Sequence, residues 1–205
     1  MKVLLINASP HENGSTYTAL SQMIDVFEKQ GIETTLMNIG KKDIRGCIAC
    51  HFCDSHERCV FDDEVNIAAK EFEKADGIVL ASPVYYASVN ATLCAFCDRL
   101  FYSTSFDKTM KVGAAVVSAR RGGCTAAFDR VNKYFSISSM PIATSRYWNQ
   151  IHGNNAQEAL QDGEGLWTMR TLARNMVFLM KSIELGKSAF GLPEKEERVA
   201  TNFIR

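Results

Sequence analysis

The chain holds 205 residues with 23 Lys+Arg against 23 Asp+Glu, so its formal charge is zero and its pI lies near 6.9. That balance leaves no electrostatic footprint for nucleic acid or anionic lipid. The length fits one domain with a real core; no apolar stretch approaches the roughly 20 residues of a membrane span, and the apolar start is too short for a signal peptide. A cytoplasmic protein is the expectation, in which seven cysteines point to metal or redox chemistry before disulfides.

In chain order the first element is a strand, Lys2–Asn7, whose apolar run Val3-Leu4-Leu5-Ile6 breaks into Asn7-Ala8-Ser9-Pro10-His11-Glu12-Asn13-Gly14-Ser15-Thr16. A helix over Ser15–Gln30 follows, with Leu20, Met23, Ile24 and Phe27 at helical spacing and Gly31 placed for a left-handed stop. A strand, then a hydroxyl- and glycine-bearing loop, then a helix N-terminus makes a phosphate site. The first N–H groups of the helix are unpaired and carry partial positive charge. Ser9, Ser15 and Thr16 supply hydroxyls, and His11 and Asn13 stand in the same loop. With no lysine in the loop, a magnesium nucleoside triphosphate is a poor match, and the three-glycine dinucleotide fingerprint is missing. A single phosphate monoester, as on flavin mononucleotide (FMN), suits it.

Further strands are expected at Glu33–Ile39, Gly77–Ala81, Val112–Ser118 and Pro141–Thr144, and further helices at Asp63–Lys74, Val89–Tyr102, Cys124–Phe135 and Glu164–Leu185. Asp62 or Asp63 is placed to cap the second helix. Strands alternating with helices imply a parallel sheet covered on both faces, with ligands beyond the carboxyl ends of the strands. Two more loops fall on that edge: Ser82-Pro83-Val84-Tyr85-Tyr86, and Ser118-Ala119-Arg120-Arg121-Gly122-Gly123 before Cys124. Proline stiffens the first, its tyrosines offer aromatic faces, and the paired glycines let the second lie against a flat ring.

Between the second strand and second helix, Cys47, Cys50, Cys53 and Cys59 form C-x2-C-x2-C-x5-C. Four thiolates at this spacing can surround one soft metal centre; a structural zinc or metal-free thiols are the other readings of it, with His51 and His56 as extra donors or solvated loop residues. Cys94 and Cys97, one turn apart on a helix, read as core thiols, as does Cys124 despite its helix N-terminus. Asp98-Arg99 reads as an intrahelical or intersubunit ion pair. Arg120-Arg121 is either a contact for flavin or nicotinamide, or else a solvated pair or a subunit salt bridge. Tyr147-Trp148-Asn149 is either a cover for the site or a subunit contact.

As an ordered set, Ser9-Pro10…Asn13-Gly14-Ser15-Thr16, Ala75-Asp76-Gly77…Ser82-Pro83-Val84-Tyr85-Tyr86, Asp98-Arg99 and Arg120-Arg121-Gly122-Gly123 resemble the flavodoxin-like NADPH-dependent FMN reductases. The cysteine run resembles their iron–sulfur flavoprotein branch. The resemblance implies an α/β three-layer sandwich with a five-stranded parallel sheet of order 2-1-3-4-5, in a single flavin-binding domain over 1–185. The cysteine-rich loop lies at 45–62; residues 186–205 themselves read as an irregular C-terminal tail, in which Phe203-Ile204 are expected to dock on a partner subunit. It implies FMN held by Ser9, His11, Asn13, Ser15 and Thr16 at its phosphate and by Pro83, Val84, Tyr85, Tyr86, Ser118, Ala119, Arg120, Gly122 and Gly123 around its ring. It also implies a 4Fe–4S cluster on Cys47, Cys50, Cys53 and Cys59. The activity implied is hydride acceptance from NADPH or NADH, with electrons passed to a quinone, another small oxidant or the cluster, in a homodimer or homotetramer. A non-enzymatic electron carrier and a flavin-binding redox sensor are the alternatives. The hydride step needs no side-chain acid or base, so no catalytic residue is named.

Overall fold

A computed structural model describes residues 1–197, 199, 201 and 203. Its elements in chain order are β1 (Lys2–Asn7), α1 (Ser15–Lys29), β2 (Glu33–Asn38), α2 (Cys53–His56), α3 (Glu64–Lys74), β3 (Gly77–Tyr85), β4 (Ser88–Val89), α4 (Ala91–Ser103), β5 (Val112–Ala119), α5 (Cys124–Ile137), β6 (Gln150–His152), α6 (Ala156–Ala159) and α7 (Gly163–Phe190). The parallel strands lie in the order β2-β1-β3-β5-β6, with β4 paired antiparallel to β3 outside that path. Renumbered without the short β4, this is the expected 2-1-3-4-5 flavodoxin-like sheet.

Strand alternation sorts the core into two halves. Val3 and Leu5 of β1 face one side with Leu20, Met23 and Phe27 of α1 and Met169, Leu172, Met176 and Met180 of α7. Leu4 and Ile6 face the other, with Val65 and Phe72 of α3, Leu93, Phe96 and Leu100 of α4, and Val131 and Phe135 of α5. Central strands buried on both faces carry unbroken apolar runs, which is why β1, β3 and β5 are plain in the sequence. Gly31 adopts φ +70° and closes α1, while the Ile32 N–H donates back to the Phe27 carbonyl. Asp63 caps α3 by accepting from Val65 N.

The fifth parallel strand departs from expectation. Pro141–Thr144 touches the sheet only through the Gly113–Ile142 bridge, and the paired strand is β6. Continuing the register from Gly113–Ile142 would set Val117 opposite Arg146; it pairs with Gln150, four residues later. The extra residues loop out because Ser145 Oγ bonds to the Tyr147 carbonyl at 2.6 Å and to Asn149 Oδ1 at 2.7 Å. Side chain–backbone bonds there replace the ladder.

Two smaller differences bear on the site and the tail. β3 runs past Ala81 into a hairpin with β4, turning through Tyr86 and Ala87 at φ +49° and +58°. α7 continues to Phe190 before Gly191, so five residues at the start of the expected tail are helical. Of the Phe203-Ile204 pair, Ile204 lies outside the described residues, and Phe203 is exposed. Among the described residues no helix is long and apolar enough to cross a membrane.

Candidate functional site

The loop after β1 and the carboxyl ends of β3 and β5, which run on into the segments expected as loops, meet over one edge of the sheet and wall a cleft of about 720 Å³, within the roughly 300–1,000 Å³ range of small-molecule sites. Ser9, His11, Asn13, Gly14, Ser15 and Thr16 form one wall, Pro83, Val84 and Tyr85 a second, and Ser118, Ala119 and Arg120 a third. Eleven of the fourteen cofactor positions named from sequence thus line a single space. Tyr86, Gly122 and Gly123 do not line it. Tyr86 is fully exposed at the hairpin tip. Gly123, at φ +98°, lets the third loop press against the second: an added Cβ would sit 2.9 Å from Ala87 Cα and from Val84 Cγ1. Its position fixes one wall against another.

The first loop is fastened from several sides. Asn7 Oδ1 accepts from Ser9 N at 3.0 Å, while Asn7 Nδ2 donates to Asn38 Oδ1 on the neighbouring strand. Asn90, the N-cap of α4, donates from Nδ2 to the Ala8 carbonyl. Gly40, just past β2, packs directly against the Ser9–Pro10 backbone. The hydroxyls expected to face a phosphate have structural partners. Ser15 Oγ donates to the Gly153 and Asn155 carbonyls, Thr16 Oγ1 pairs with Ser118 Oγ at 2.8 Å, and Ser9 Oγ accepts from His11 N. The donors that open toward an anion are instead the first-turn N–H groups of α1. Its N-cap, Gly14, supplies no side-chain acceptor, and its first turn holds no acidic residue.

Two features of the cleft escape sequence reading. One is Lys41, a rim cation 3.8 Å from Glu12. The other is a fourth wall, Gly153–Gln157, which follows β6 and was hidden when the fifth strand was placed at Pro141–Thr144. The Gly153-Asn154-Asn155 run, a turn signal beyond an apolar residue, was the available clue. Glu158 braces this wall, accepting from Asn154 N at 2.8 Å and Asn154 Nδ2 at 2.6 Å. Those bonds, the backbone one foremost, hold its carboxyl below the ordinary range.

Cys47, Cys50, Cys53 and Cys59 line a separate small hollow with Phe61, Arg99 and Tyr102. Ala49 and His51, between cysteines, turn through left-handed backbone at φ +51° and +59°. The thiols share the hollow without closing on a point: among the described residues no three His, Cys, Asp or Glu side chains converge closely enough to hold a metal ion. The donor set itself, four thiols with an N–H donor on Cys59, suits a soft metal. His51 pairs with Asp54, and His56 stacks on Phe52. Cys97 and Cys124 are buried, and burial pushes both thiols up, Cys97 the further, in keeping with packing roles. Asp98 and Arg99 do not pair with each other. Asp98 meets Tyr134 and Arg130, and Arg99 meets Asp63. Adjacent helical positions point about 100° apart, which separates their partners. Arg121 is exposed, and Tyr147 and Trp148 pack on each other, outside the cleft walls.

Residues 1–154 match the NADPH-dependent FMN reductase family. An iron–sulfur flavoprotein of Methanocaldococcus jannaschii is 31% identical over 192 residues, spanning 90% of this chain and all of that one. An iron–sulfur flavoprotein of Methanosarcina thermophila is 28% identical over 189 residues, spanning 90% and 97%. Among solved structures, RosB with bound 8-demethyl-8-formylriboflavin-5'-phosphate superposes with a TM-score of 0.72 over 100% of this chain and 92% of that one; at 13% identity this likeness is one of fold. The chain belongs to the NADPH-dependent FMN reductase family, on its iron–sulfur flavoprotein side, and is an FMN-binding oxidoreductase of the flavodoxin type.

Proposed function

We propose that the cleft holds FMN with its phosphate on the Ser9–Thr16 loop and its ring system between Pro83–Tyr86 and Ser118–Gly123, and that a reduced nicotinamide, NADPH or NADH, is the electron donor. The observation that carries this reading is the convergence of three segments, distant in sequence, on one cleft: the loop after β1 and the ends of β3 and β5. When bound, FMN supplies two-electron exchange with a nicotinamide and one- or two-electron exchange with an acceptor. The chain's own part is geometric. The N-terminus of α1 draws the phosphate, the Thr16–Ser118 pair ties two walls together, and Pro83 stiffens the second wall. Tyr85 offers a face for stacking. Tyr86 and Gly122 stand outside the cleft, and Gly123 acts by letting the walls close. Arg120 and Lys41 are the cations at the rim, placed for the phosphates of an incoming nicotinamide.

The same reading assigns a 4Fe–4S cluster to Cys47, Cys50, Cys53 and Cys59. The shared hollow supports it, as do relatives described as iron–sulfur flavoproteins. Such a centre supplies one-electron transfer. Held by these four cysteines, it would supply a one-electron acceptor within the chain, alongside a quinone or another small oxidant outside it. Self-association as a homodimer or homotetramer is supported by Phe178, Leu185 and Phe190, which stand exposed along α7.

Anaerobic purification, an absorption spectrum, and iron and sulfide analysis test the assignment together. Flavin bands with a broad visible shoulder and stoichiometric iron are expected, as is steady NADPH or NADH oxidation with a quinone acceptor. Flavin bands without iron after reconstitution remove the cluster alone. Colourless protein that refuses added FMN overturns the whole reading.

A further inference from the structure

Arg99 heads the fully buried side chains by size, at 1% exposure. A buried guanidinium needs a partner for its charge and for each of its five N–H groups, and here every one is used. Nη1 and Nη2 fork onto the two Asp63 carboxylate oxygens at 2.6 and 2.9 Å. The same nitrogens reach the Arg45 and Phe61 carbonyls, each at 3.3 Å. Nε donates to Cys59 Sγ at 3.1 Å. Arg45 precedes the four cysteines and Phe61 follows them, so one side chain of α4 fastens both ends of the cysteine loop. The Arg45 and Arg99 guanidinium groups also lie 4.8 and 5.1 Å from the Phe61 ring centroid, within cation–π range.

The four thiols are therefore not equivalent. Cys59 is fixed from three directions: its N–H donates to Asn66 Oδ1, its carbonyl accepts from Asn66 Nδ2, and its sulfur accepts from Arg99. Cys47 and Cys50 are exposed, next to the left-handed residues Ala49 and His51, and among the described residues neither side chain is hydrogen-bonded to Arg99, Asp63 or Asn66. We propose that Arg99 is the positioning residue of the four-thiol site: it presents the Cys59 sulfur as the fixed ligand onto which a soft metal centre is assembled, and its Nε–H remains on that sulfur in the loaded protein. The proposal rests on the reading that these cysteines hold a metal. Asp63 offsets the guanidinium charge, so the contribution of Arg99 is a directed N–H bond and a held rotamer. Lysine supplies neither with the same geometry. Donors behind a metal ligand typically contribute 10–100-fold in metal affinity.

The test uses the full chain with FMN bound, reduced and freed of metal under anaerobic conditions, and titrated with cobalt(II) alone. Thiolate-to-cobalt charge-transfer absorption reports binding in the wild type, Arg99→Lys and Cys59→Ser. Arg99→Lys is expected to bind cobalt roughly 10–100-fold more weakly while its circular dichroism and flavin occupancy stay those of the wild type. Wild-type cobalt affinity in folded Arg99→Lys overturns the proposal and leaves the metal reading standing. A wild type that binds neither cobalt nor iron with sulfide removes the metal reading and the proposal with it. If Arg99→Lys does not fold, the wild type loaded with NMR-active cadmium decides: scalar coupling from the Arg99 Nε–H to cadmium across the Cys59 sulfur is expected, and its absence overturns the proposal.

Discussion

Gly40→Ala probes how the phosphate loop is held, at a residue that touches no ligand. Gly40 follows β2 and lies against the first loop so closely that an added Cβ would fall 2.5 Å from Pro10 N and closer still to the Ser9 carbonyl group. Both neighbours are backbone, so no side chain can swing aside. Comfortable non-bonded contact begins at about 3.5 Å, so the loop must retreat by roughly 1.0–1.4 Å. Ser9 N is tied to Asn7 and the Ala8 carbonyl to Asn90, so the retreat strains bonds on both sides. Overpacking of this kind costs about 1–3 kcal/mol, which in a chain of this size lowers Tm by about 2–12 °C. The larger effect falls on the anion. Losing one charge-assisted N–H bond to phosphate costs about 1.5–3 kcal/mol, which weakens FMN by about 10–150-fold. Fluorescence titration of the flavin-free chain with FMN and with riboflavin reads this directly, because riboflavin lacks the phosphate. FMN affinity is expected to fall while riboflavin affinity changes little. Equal losses for both flavins, or an unchanged FMN affinity in folded Gly40→Ala, would refute the placement of the phosphate on this loop.

The Thr16–Ser118 hydroxyl pair, buried at 2.8 Å, ties two walls of the cleft. Thr16→Val and Ser118→Ala should each cost about 1–3 kcal/mol by leaving the other hydroxyl unpaired, and the double variant less than their sum; strictly additive urea-unfolding energies would show that the pair is not coupled. The Glu158 carboxyl is held below its ordinary value of 4.5 by the Asn154 bonds. Its bracing of the Gly153–Gln157 wall is therefore complete above that value and lost as pH falls through the folded-state pKa. FMN release as pH falls below 4.5 should carry that titration, and Glu158→Gln should remove it; an identical acid profile in the variant would assign the release elsewhere. Cys53→Ser should abolish the visible iron–sulfur shoulder and leave the flavin bands, and loss of both would mean that the two centres had been wrongly separated.

What could be read from sequence, and what could not, follows the range of the interactions responsible. The apolar runs of β1, β3 and β5 report burial on both faces, and the loops that follow them carry their chemistry locally. That eleven of the residues expected to hold a cofactor would share one cleft was accordingly legible. The hairpin was not: its turn holds left-handed backbone at Tyr86 and Ala87, where glycine or asparagine would be the signal. The fifth strand was shifted because Pro141–Thr144 has strand composition, whereas the Ser145 and Asn149 side chains decide where the ladder resumes. The error carried forward and concealed the Gly153–Gln157 wall.

Gly40 and Arg99 mark the limit more sharply. Nothing near Gly40 signals that its missing side chain is space reserved for the Ser9–Pro10 backbone, about thirty residues earlier in the chain. Arg99 beside Asp98 looks like half of a local pair, yet its partner Asp63 is 36 residues away. Its charge could not be left unpaired at that depth without a penalty of several kcal/mol. Spacing along the chain thus identifies which atoms can act on a flavin or a metal. The residues that hold those atoms in place are set by tertiary contacts, so they emerge only when burial and hydrogen bonding are counted donor by donor.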